Sequence, residues 1–119
     1  MRPRILIGKN MSARDYLMAL EERDRIQASY AEALVDVDAL LTPTTATTAP
    51  IVETIDQSST PAFFTRVANL IEYCALALPN GTDHNGLPTS FQIICRGYQE
   101  ALALRIGQAY EQATRTTPE

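Results

Sequence analysis

One lysine, one histidine, two cysteines and no tryptophan stand among 119 residues, and no apolar stretch is long. Each scarcity removes a class of function. A zinc site needs about three or four soft or imidazole ligands at close spacing, and two cysteines far apart in sequence with the single His84 do not supply them. No metal and no cofactor are therefore expected. The longest apolar runs fall well short of the roughly 18 to 20 residues of a spanning helix, so no membrane role is expected. Near the start, Ile5-Leu6-Ile7 is too short for the core of a secretory signal. Without such a signal, Cys74 and Cys95, each inside an apolar segment, read as reduced packing residues rather than a disulfide. The nine arginines and Lys9 are scattered through a chain of net charge −4 and pI near 4.9. Nucleic acid demands a concentrated positive surface, so direct binding to it is disfavoured. The location these features imply is cytoplasmic.

What is present is ordinary globular material, 45% hydrophobic and 20% charged, enough for a single domain over residues 1–119. Residues 1–36 read as a short apolar stretch and a long helix. Ser12-Ala13-Arg14-Asp15 has the form of a capping box, and Ala13, Leu17, Leu20, Ala28, Ala31 and Val35 recur at helical spacing, giving about six turns ending near Val35 to Val37. Residues 37–61 read as a buried strand, Val37 to Thr42, stopped by Pro43, and then an irregular loop to Pro61 rich in threonine and proline and free of glycine. Loops of that length in compact domains are uncommon unless they serve a site or cross another part of a larger protein. Residues 62–119 read as helix, strand, strand, helix. The helix covers Thr65 to Tyr73, the strands Ala75 to Leu78 and Ser90 to Cys95, and the last helix Gln99 to Thr114. Pro79 reads as the stop of the first of these strands. Between the strands, PNGTDHNGLP is dense in turn formers, so an antiparallel pair with a longish loop is expected.

Three stretches carry a family resemblance. Asp38-Ala39-Leu40-Leu41-Thr42-Pro43-Thr44-Thr45 comes first; Asn69-Leu70 with Ala75-Leu76-Ala77-Leu78-Pro79-Asn80-Gly81 second; Gly86-Leu87-Pro88, Gln92-Ile93-Ile94, Arg96-Gly97 and the helix through Ala109-Tyr110-Glu111-Gln112-Ala113-Thr114 third. Taken in order, these resemble the C-terminal region of amidase-signature enzymes, a family that includes bacterial amidases and the A subunit of tRNA-dependent amidotransferases. The resemblance runs from about Arg4 to Thr114. It implies an α/β fold, a partial mixed sheet flanked by helices, and a part in hydrolysing C–N bonds of carboxamides. Departures occur where many members have glycine or proline and this chain has Glu72, Cys74, Ser90 and Cys95.

Members of that family use a serine nucleophile, a second serine that relays its proton and a lysine base, with a glycine-rich serine loop donating to the oxyanion. The resemblance places all of these upstream of the region matched here, so no catalytic residue is assigned. Lys9 reads as a solvated lysine. The serine pair Ser58-Ser59 lacks flanking glycines and does not read as a nucleophile. Adjacent Asp83 and His84, or Asp56, do not set up the oriented geometry of a triad, and His84 reads as a turn residue. Glu21-Glu22 and Asp36-Asp38 read as solvated surface and helix-end acids. In glutamine-using members an arginine and an aspartate bracket the amino-acid end of the substrate. The resemblance makes Arg4, in RPRILIG, the counterpart of the arginine and the one substrate-binding candidate, a solvated surface arginine being the alternative reading, while the aspartate's place falls on Ala62, which tilts the reading away from glutamine. Two expectations result. The chain is a C-terminal piece of an amidase, inactive alone, that contacts an amide substrate in the parent enzyme. Alternatively it is a stand-alone, non-catalytic interaction module. In both, core surface left exposed leads to self-association.

Overall fold

The computed structural model describes residues 6, 8–53, 55 and 62–115. It divides into two units, Met1–Val35 and Asp36–Glu119.

The first unit holds a single turn of 3-10 helix, Gly8–Asn10, and α1, Ala13–Ala33. The capping box is formed. Ser12 Oγ accepts from the Asp15 amide at 3.1 Å, and the Asp15 carboxylate accepts from the Ser12 amide at 3.2 Å. Such a cap satisfies orphan donors of the first turn and contributes on the order of 1 kcal/mol. The stripe expected from alanine and leucine spacing overlaps the sheltered one only at Leu20. Leu17 and Val35 are exposed, and the half-buried positions are Leu20, Arg23, Ile26, Gln27, Tyr30 and Leu34. Alanines fit any helix face, so they mark a face poorly; the large side chains Ile26, Tyr30 and Leu34 define it.

In the second unit three strands form one sheet in the order β1-β3-β2, antiparallel throughout. They are β1, Leu40–Pro43; β2, Cys74–Thr82; and β3, Pro88–Cys95. Two helices accompany it, α2, Thr65–Leu70, and α3, Glu100–Arg115. The α/β class is therefore what the chain has. β3 is central, which is why Gln92, Ile93, Ile94 and Cys95 are all buried in a row instead of alternating. On one face Ile93, Cys95 and Leu78 pack with Ala103 of α3, with Leu76, Phe91, Leu102, Ile106 and Tyr110 around them. On the other, Gln92 Nε2 donates to Phe64 O at 3.1 Å and to Thr42 Oγ1 at 2.8 Å. This amide ties the segment entering α2 to β1 and β3 and satisfies a polar group buried in the sheet.

The hairpin is longer and tighter than its sequence implies. Pro79 does not stop β2 at Leu78; pairing continues to Thr82, opposite Pro88, with a register shift between Pro79 and Gly81. Proline is tolerated here because β2 is an edge strand and the shift removes a ladder bond locally. At the other end of β2, α2 closes with bonds from the Tyr73 amide to Ala68 O at 2.9 Å and from the Glu72 amide to Asn69 O at 3.4 Å, the pattern of a Schellman cap. The pivotal residue of such a cap is left-handed, and Glu72 takes it with φ 60°. Glycine occupies that region without the steric cost of a Cβ, which is on the order of 1 kcal/mol. Glu72→Gly is accordingly expected to raise stability by up to about 1 kcal/mol in urea unfolding; a loss of that size would count against this cap.

No helix of the described residues is long and apolar enough to cross a membrane.

Candidate functional site

The start of the threonine-rich segment, Thr44 to Thr48, stays against the sheet. The Thr44 amide donates to Ser90 O at 3.1 Å, prolonging the pairing past Pro43. Four residues on, Thr48 Oγ1 donates to Asp83 Oδ2 at 2.8 Å. Asp83 stands at the tip of the β2–β3 hairpin and organises it. Its Oδ1 accepts from the amides of Asn85 at 2.8 Å and Leu87 at 3.0 Å, while its carbonyl accepts from Gly86 at 3.0 Å. Gly86 supplies the positive φ, 77°, that this turn requires.

Between the tethered segment and the hairpin lies an open groove of about 910 Å³, within the range of small-molecule sites. Phe91 and Tyr110 meet edge to face in it, ring centroids 4.8 Å apart. Leu41, Pro43 and Pro88 add carbon, Thr45 to Thr48 form a rim, and Asn80, Asp83, His84 and Ser90 supply polar groups. No arginine or lysine is among the described residues lining it.

Hydrogen bonds from Thr48, then from the Leu87 and Asn85 amides, hold the Asp83 carboxyl below its ordinary value of 3.8. Because the folded value is the lower one, the tether is fully present above the ordinary carboxylate range and is lost as pH falls through the depressed value. Protection of the Asn85 and Leu87 amides, measured against their intrinsic exchange rate at each pH, is thus expected to hold above the ordinary carboxylate range and to fall only in stronger acid. In Asp83→Asn the acid-dependent step should vanish. An unchanged step in that variant would show that another group controls the hairpin.

The candidates read from sequence fall in several places. Arg4, Asp56, Ser58 and Ser59 lie outside the described residues. Lys9 is exposed in the 3-10 turn, and Glu21, Glu22, Asp36 and Asp38 are exposed, with Glu22 paired to Arg25. His84 turns its Nε2 to Asn85 Nδ2 at 3.1 Å, and the Asp83 carboxylate beside it is engaged by Thr48 and two amides. Nucleophile, base and acid are not brought together among these residues. Both cysteines are free, and no metal-binding cluster of histidine, cysteine and acids occurs among the described residues. Sequence reasoning misses Phe91, Tyr110 and Asp83 as groove residues; the long loop is the one signal that a site lies near.

The sequence model of the family described as Amidase matches residues 1–104. The chain belongs to the amidase family. Among relatives, a fatty acid amide hydrolase from Arabidopsis thaliana is 34% identical over an alignment covering 98% of this chain and 21% of that protein. The crystal structure of the glutamyl-tRNA(Gln) amidotransferase A subunit from Thermotoga maritima is 34% identical and superposes with a TM-score of 0.73, covering 93% of this chain and 26% of that one. An allophanate hydrolase from Kluyveromyces lactis is 26% identical, with a TM-score of 0.76 over 84% of this chain and 17% of its own. The chain thus spans about a quarter or less of the length of these amidase-family relatives.

Proposed function

We propose that this chain is the C-terminal part of a cytoplasmic amidase and forms one wall of its substrate pocket, the serine, its relay partner and the lysine base coming from the remainder of the protein. The groove carries this reading. It is built from strand ends and a tethered loop, it is lined by aromatic and aliphatic carbon with a few convergent polar groups, and its described residues hold no assembled nucleophile. Ala62, where the resemblance calls for an aspartate, favours a carboxamide other than glutamine. Arg4 remains the candidate contact for a substrate carboxylate or carbonyl. Translation of the DNA preceding Met1 tests the assignment. An in-frame glycine-rich serine segment and a lysine upstream are expected; an in-frame stop with no such segment would contradict it.

A second reading, a non-catalytic module that self-associates, draws on large apolar side chains left in solvent, Leu41, Phe63 and Leu104 among them. Size exclusion at several concentrations separates the two. A discrete symmetric dimer favours the module, and polydisperse association favours a piece of a larger enzyme.

A further inference from the structure

Cys74 opens β2 and Cys95 closes β3, and the register sets them directly opposite each other although they are 21 residues apart. Opposed residues of an antiparallel pair point to the same face with Cα atoms about 4.5 or 5.5 Å apart. Both values fall inside the span of roughly 4.4 to 6.8 Å that a disulfide bridges. The two free thiols differ in their surroundings. Cys95 is 1% exposed, in the core against α3. Cys74 is half-buried, and its thiol donates to the carbonyls of Cys95 and Arg96 at 3.6 and 3.5 Å. It also lines a pocket of about 210 Å³ with Glu72, Tyr73, Gly97, Tyr98 and Glu100, which admits a molecule the size of water or peroxide. Burial first, then Cys74 and Asp38, pushes the Cys95 thiol up, so Cys95 is the poorer initial nucleophile.

We propose that Cys74 and Cys95 form a reversible disulfide driven by hydroperoxide, with Cys74 oxidised first through its pocket and Cys95 resolving the product. In the first step the Cys74 sulfur attacks one peroxide oxygen. The O–O bond breaks, an S–O bond forms, and the departing hydroxide takes the thiol proton as water, leaving a sulfenic acid. In the second step the Cys95 sulfur attacks the Cys74 sulfur. The S–O bond breaks and its hydroxyl leaves as water with the Cys95 proton. Two thiols lose two electrons and two protons, and one hydrogen peroxide becomes two waters. The bridge staples the base of the β2–β3 hairpin and leaves the groove, at the opposite end of β3, open. A dithiol reductant reverses it by exchange.

The test uses the whole chain. Hydrogen peroxide under native conditions is expected to remove both titratable thiols, to join the Cys74 and Cys95 peptides within one chain in mass mapping, and to raise the thermal midpoint by roughly 10 °C or more. Dithiothreitol should undo all three changes. Cys74→Ser should leave Cys95 unreacted, and Cys95→Ala should stop at a sulfenic acid on Cys74 that dimedone traps. Thiols that still titrate after peroxide, bridges found only between chains, or sulfinic acid on Cys74 of the unsubstituted chain without bridging would each overturn the proposal. Since the unsubstituted chain decides these outcomes, a variant that misfolds does not remove the test.

Discussion

Replacing Ile93 by alanine should cost about 2–5 kcal/mol, the range for removing a fully buried aliphatic side chain and leaving part of its volume empty. Ile93 has no exposed surface. It lies in the central strand between Leu41 of β1 and Leu76 of β2, beneath α3. Its hole has few ways to collapse, because neighbours on both sides are held by the ladder. A unit of this size has a total stability on the order of 4–13 kcal/mol, so the loss consumes a large share of it. In urea the midpoint should fall sharply with the slope unchanged, while Ile93→Val should cost only about 1 kcal/mol. A loss below about 1 kcal/mol for the alanine variant would mean that the sheet and α3 are not packed as described.

Gly107→Val is the second large effect, expected at about 3 kcal/mol. α3 approaches β2 so closely at this position that a Cβ would lie 2.8 Å from Leu76 Cδ2 and 3.1 Å from Leu78 Cδ1. A single methyl meets only the ends of two leucines, which can rotate away, and it gains about 1 kcal/mol of helix propensity over glycine. Gly107→Ala should therefore change stability by less than about 1 kcal/mol. Valine adds two further methyls that the leucines cannot clear together. Combining it with Leu76→Ala should recover part of the loss, so that the double variant is more stable than the sum of the singles predicts. Strict additivity would contradict the close approach of helix and strand.

Local chemistry makes much of this fold legible. The capping box at Ser12, the turn formers between the strands and the short apolar runs are signals carried by a few neighbouring residues, and elements form near them. The strand read as buried over Val37 to Thr42, however, is Leu40–Pro43, half-buried and exposed in alternation because it lies at the sheet edge, and the helix read to Tyr73 closes at Leu70. Judgements that depend on which side of an element is covered fare worse. Alanine spacing points to a stripe of α1 that meets the half-buried face only at Leu20, and Pro79 looks like a stop because its position on an edge strand beside a register shift cannot be seen from the residue itself. The groove is legible only as an unexplained loop. Thr48 and Asp83 are 35 positions apart, and Phe91 meets Tyr110 from a different element. Such pairs are set by sheet register and helix docking. The cysteines illustrate the same limit, since they are remote in sequence and opposed in the hairpin.

The groove, in the function proposed, is a wall of an amide site whose chemistry resides elsewhere in the protein. Incubating the 119-residue chain with simple aliphatic and aryl carboxamides and measuring released ammonia tests it most directly. No release above the uncatalysed rate is expected. Turnover that serine-directed reagents abolish would contradict it.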